Sequence, residues 1–65
     1  MADREIVLDI LIDALKREKQ AEDNCEDIIM HLKKNGFVEK IEHIKNDEIE
    51  HQKIVKKLID MLLSL

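Results

Sequence analysis

The 65-residue sequence has no proline, no tryptophan and no tyrosine, and only one glycine, one cysteine and one phenylalanine. Each scarcity removes a class of answer. Without proline nothing interrupts a helix from within. One glycine leaves little material for the tight turns of a β-rich chain. Cys25 has no second cysteine to pair with, so an oxidising compartment is not implied. The lack of tryptophan and tyrosine denies nucleic-acid bases a stacking platform. The 11 basic and 15 acidic residues give a net charge of −4, without the basic face of a nucleic-acid binder. Apolar runs reach only three residues, as at 6–8 and 10–12. No segment spans a membrane, and the charged start does not resemble a signal peptide. The expectation is a soluble, cytoplasmic protein without membrane or nucleic-acid partners.

What is present is charge and aliphatic bulk: 40% of residues are charged and 45% are hydrophobic. That is the composition of long helices. A chain this short seldom buries enough apolar surface alone, and with disulfides excluded it needs a metal or a partner. Asn35-Gly36 is the only turn signal. Gly36 suits the left-handed position past a helix end, with Lys33 and Lys34 in the preceding turn. Asp3 is the expected N-cap of the first helix, and Glu39 and Glu42 fall in the first turns of the second. The pattern predicts an all-α antiparallel hairpin: helix 1 over about residues 4–34, a turn at 35–36, and helix 2 over about 37–63. Each helix would be roughly 40–46 Å long.

Both helices carry a continuous stripe at alternating spacings of three and four. In helix 1 it runs Leu8, Leu11, Leu15, Glu18, Glu22, Cys25, Ile29, Leu32. In helix 2 it runs Phe37, Ile41, Ile44, Glu48, His51, Val55, Leu58, Leu62, Leu65. These are core seams of a helical bundle. Each is interrupted only at mid-length, and only by ionisable residues. The antiparallel register brings the two interruptions to one level. The ends far from the turn are apolar on more than one face, with Ile6, Val7, Ile10 and Ile12 on one helix and Ile54, Ile59, Met61 and Leu63 on the other. Association of two or more copies would cover them.

A buried, unpaired carboxylate costs several kcal/mol. Glu18 and Glu22 also repel one another at i, i+4. No lysine or arginine occupies a seam position to offset this, so protonation or a bound cation remains. Glu48 and His51 form a Glu-x-x-His sequence, which points a carboxylate and an imidazole the same way. Carboxylate bundles that bind two iron or two manganese ions use one Glu from each of two helices and a Glu-x-x-His from each of the other two. One hairpin holds half that set, and two hairpins hold all of it. Two divalent ions would then balance the charge of four carboxylates. Oxygen and imidazole donors suit iron or manganese, and the lack of thiolate clusters disfavours structural zinc.

Here the sequence resembles the ferritin-like di-iron carboxylate superfamily, rubrerythrins among them. Members carry Glu-x-x-Ala-x-x-x-Tyr on the first metal-binding helix and Glu-x-x-His on the next. This chain reads Glu18-Lys19-Gln20-Ala21-Glu22-Asp23-Asn24-Cys25 and Glu48-Ile49-Glu50-His51. The two glutamates stand 30 residues apart, similar to the spacing in encapsulated ferritins. Those are two-helix subunits that build a di-iron site across a dimer interface. The resemblance spans roughly residues 15–62. It implies a homodimer or higher homo-oligomer forming a four-helix bundle, with Glu18, Glu48 and His51 as iron ligands and Fe(II) oxidised by dioxygen or peroxide. Manganese is the other metal the donors admit. Glu22 is a further candidate ligand that the family pattern does not require. Departures are Cys25 at the tyrosine position, Gln52 at the alanine often found after the histidine, and no rubredoxin-like cysteine set. Two other functions fit the residues alone: a metal-binding module without turnover, and a metal-free hairpin acting as an adaptor or dimerisation element. His31 and His43 lie off the seams.

Overall fold

A computed structural model describes residues 2–65. Two helices account for nearly all of it: α1 (Ala2–His31) and α2 (Asn35–Leu63), packed along their length in a rod of 50 × 14 × 11 Å. Among the described residues there is no strand, and no helix is long and apolar enough to cross a membrane. The helical hairpin expected from the seams is the fold of the chain.

The boundaries differ from the sequence expectation at both ends of α1. Asp3 lies with Glu5 inside the first turn, rather than capping it from outside. Its charge still faces the positive end of the helix dipole. α1 ends at His31, whose Nδ1 sits 2.7 Å from the Asp27 carbonyl oxygen. The chain reverses over residues 32–34, not at Asn35-Gly36. Lys34 makes the reversal, in extended conformation at φ −104° and ψ 125°, and supplies no side-chain cap. Asn35 and Gly36 open α2, and the Val38 amide donates to the Lys34 carbonyl at 2.8 Å. Gly36 does not take the left-handed conformation. The first residues of a helix have amides that need no intrahelical partner, so the weak helix former Gly36 is tolerated there. Glu39 consequently falls beyond the first turn of α2, which holds no acid.

At the other end, Arg4 Nη2 donates to the Leu63 carbonyl at 2.9 Å. A cation thus meets the negative end of α2. Midway between the turn and the centre, Lys45 Nζ bridges to Glu26 Oε1 at 3.3 Å, tying the helices together.

The seam of α1 faces α2 much as its spacing predicts: Leu8, Leu11, Leu15, Glu18, Glu22, Cys25 and Ile29 are all buried or half-buried. Leu32 falls past the helix end and is exposed. The seam of α2 divides. Ile41, Glu48, Val55 and Leu62 turn toward α1, joined by Val38, Lys45, Gln52 and Ile59, whereas Phe37, Ile44, His51, Leu58 and Leu65 stay exposed. A helix in a two-helix chain has one neighbour, so a stripe broad enough for two neighbours is half covered.

Among the described residues only Cys25 and Gln52 are buried, at 6% and 9% exposure. The uncovered strip of α2 continues at the open end into a groove of about 360 Å³ lined by Val7, Leu11, Leu58, Met61, Leu62 and Leu65. The opposite side of the hairpin is different: its mid-length concavity is lined by Leu15, Lys16, Lys19, Gln20, Asp23, Gln52 and Lys56. One face is therefore apolar and the other is charged.

Candidate metal centre

Glu18 lies 13 residues before the end of α1, and Glu48 lies 13 residues after the start of α2. With a short connection, equal distances from the turn put them at one level of the antiparallel pair. His51 follows Glu48 by one helical turn and points along nearly the same direction. The donor atoms of Glu18, Glu48 and His51 all lie within 4.8 Å of one another. His51 Nδ1 is 3.4 Å from Glu18 Oε2 and 3.9 Å from Glu48 Oε2.

The three side chains are unequally covered. Those of Glu18 and Glu48 are 27% and 20% exposed, and that of His51 is 53% exposed. The carboxylates sit between the helices, and the imidazole opens onto the apolar face. Ile44 and Leu58 stand seven residues before and after His51 on the same strip of α2, both exposed. The cluster is thus a polar island in a hydrophobic strip.

The electrostatics of the island are those of two carboxyls forced together. Glu48 is held above its ordinary value of 4.5, first by a hydrogen bond shared with the Glu18 carboxyl, then by partial burial and by the charge of Glu18; His51 opposes the shift. Among the described residues, the lysines and arginine in ion pairs serve other acids: Arg17 serves Asp13, Lys19 serves Glu22 and Asp23, Lys45 serves Glu26, and Lys53 serves Glu50. Glu18 and Glu48 have His51 alone. Two oxygen donors and one imidazole converging without a fixed cation can take up a proton or coordinate a metal ion.

Glu22 is not in this group. Its Oε1 accepts a hydrogen bond of 2.8 Å from Gln52 Nε2 and lies 3.6 Å from Lys19 Nζ. No residue of the α2 stripe partners Glu22; the residue that does lies beside it. Gln52 lies one residue off that stripe and is neutral. Its spacing of four from Glu48 was the available signal, since that places it on the same side of α2 one turn on. Cys25 is buried but stands outside the cluster. His31 bonds backbone near the turn, and His43 is exposed.

Comparison with protein-family models, curated proteins and solved structures finds no match to this chain.

Proposed function

We propose that this chain is a ferritin-like iron-binding subunit that dimerises through its apolar face and oxidises Fe(II) at a site shared between two copies. The observation that carries the reading is the convergence of Glu18, Glu48 and His51 within 4.8 Å at mid-length, on the face the hairpin leaves uncovered. An isolated surface cluster of this kind would need no hydrophobic surround. Here a second copy placed on the strip would bury Ile44, Leu58 and the open-end groove, and in the same step bring a second Glu, Glu and His to the first.

The donor set fits the ion. Four carboxylates and two imidazoles per pair of chains are what two-iron and two-manganese carboxylate bundles employ. The raised affinity of Glu48 for a proton marks where positive charge is wanted, and a divalent ion supplies more of it. Iron is the substrate in this reading. Two Fe(II) ions surrender one electron each, and dioxygen with two protons accepts the pair as hydrogen peroxide. The chain's own part is to hold both ions at one place, so that the two electrons leave together. The hydrophobic cover excludes bulk water. Glu18, Glu48 and His51 are its ligands, and Glu22 is not.

Anaerobic Fe(II) titration followed by aeration tests the proposal, with absorbance and light scattering as readouts. The expected result is about one iron per chain in a dimer or larger species, with ferric absorbance growing in on aeration. Glu48→Ala and His51→Ala should each abolish tight binding. An absence of binding in the parent, with an unchanged oligomer, would sink the proposal and leave a metal-free hairpin. Binding without ferric absorbance on aeration would leave a metal-binding module without turnover.

A further inference from the structure

Two polar rungs cross the centre of the hairpin side by side. One is His51 with Glu18, at 3.4 Å; the other is Gln52 with Glu22, at 2.8 Å. Glu22 is one helical turn from Glu18 on the same face of α1, where neighbouring Cβ atoms are about 5–6 Å apart. At that spacing a glutamate side chain is long enough to extend toward the cluster. Instead it is held by Gln52, the most buried polar residue among those described, at 9% exposure.

Across the interface the partner is an amide, at 2.8 Å; exposed Lys19, on the same helix, stands farther off at 3.6 Å. The amide hydrogen bond holds the Glu22 carboxylate toward Gln52. The consequence lies in ligand number. With Glu22 retained, each chain offers two carboxylates and an imidazole. With Glu22 released, each chain offers three carboxylates, and a pair of chains carries six against two divalent ions. Extra oxygen donors favour hard ions such as Ca(II), which takes six to eight oxygens, over transition ions that accept imidazole.

We propose that Gln52 is a metal-selectivity residue: its side-chain amide withholds Glu22 from the Glu18–Glu48–His51 cluster and so biases the site toward Fe(II) and against Ca(II). The inference rests on the metal-binding reading above. Gln52 is a positioning residue, touching no ligand position itself and acting through Glu22.

The test is competition between Fe(II) and Ca(II) under nitrogen, read with a chromophoric chelator. Gln52→Met keeps an unbranched side chain of similar length and removes the amide. It should shift the affinity ratio toward Ca(II) by about tenfold or more. Glu22→Gln should leave the ratio within about twofold of the parent, because Glu22 is not a ligand there. The Gln52→Met/Glu22→Gln double variant should return to the parent ratio. An unshifted ratio in Gln52→Met, with binding intact, would overturn the role of Gln52 while leaving the metal site standing. A shift that persists in the double variant would do the same, since it would reflect general loosening rather than release of Glu22. Failure of the parent to bind any ion would remove both proposals. Should Gln52→Met fail to fold, the parent itself supplies the measurement. Its Gln52 side-chain amide protons should keep their hydrogen-bonded chemical shift when Zn(II) is added, and their return to free-amide values would refute the withholding.

Discussion

Ile44 and Leu58 offer the sharpest test of the face-to-face dimer. They bracket His51 by seven residues on either side and are 48% and 43% exposed in the single hairpin. Fully burying a leucine or isoleucine side chain contributes about 1.5–3 kcal/mol. Covering the remaining two-fifths to one-half of each therefore contributes about 1 kcal/mol. In a symmetric dimer each residue is covered twice, so Ile44→Ala/Leu58→Ala removes four such contributions, less what the alanine methyl retains. The net loss is about 3 kcal/mol, or a dissociation constant weakened about a hundredfold. Sedimentation equilibrium of the metal-free chain over a range of concentrations reads this directly. Met30→Ala is the control. At 70% exposure Met30 is more open than either residue, but it lies off the strip and should leave dimerisation nearly unchanged. A double variant that associates as tightly as the parent would refute the assignment of the face, as would equal weakening by Met30→Ala.

Three further outcomes are expected. Gly36→Ala should stabilise the chain by up to about 1 kcal/mol, because the position is helical and a Cβ there meets nothing within 4 Å; a lower melting temperature would mean that the left-handed turn exists after all. Glu48 binds its proton more tightly in the folded chain than in the unfolded one, so the stability it contributes is full below its ordinary value of 4.5 and is lost as pH rises through the raised value. Metal-free thermal melts at about pH 4 and about pH 7 should show this loss, and Glu48→Gln should diminish it and melt higher than the parent at neutral pH; an identical pH response in the variant would contradict the shared proton. Cys25, 6% exposed, should react with an aromatic disulfide reagent only as fast as the hairpin opens. Rapid labelling under native conditions would show that the α1–α2 interface is open at that level.

Much of the hairpin is legible in the sequence because helical periodicity is a local property. The spacing of three and four from Leu8 to Ile29 identifies the inward face of α1. The same spacing, carried through Glu18, Glu22, Glu48 and His51, marks the polar level in the sequence. The level itself depends on the turn: with a reversal at 35–36 Glu22 would stand opposite Glu48, whereas the reversal at 32–34 shortens α1 and lengthens α2, and so brings Glu18 level with Glu48. The turn lies three residues earlier than the sequence signal implies. Asn-Gly is a strong signal for a reversal, but here the extended Lys34 makes it, and the glycine is absorbed into a helix start where its cost is small.

Residue order alone carries two long helices, an apolar strip on each broken at one level, and a carboxylate–imidazole set in the break. Those properties follow from order along the chain and the pitch of an α-helix. The packing of the two helices sets how the strip on α2 is shared between a covered half and an open one. That depends on the angle at which α1 rests against α2, through Val38, Lys45, Gln52 and Ile59 rather than Phe37, Ile44, Leu58 and Leu65. It also decided the fate of Glu22: one more carboxylate on a seam is a ligand or a bystander according to what faces it across the interface, and what faces it is the amide of Gln52.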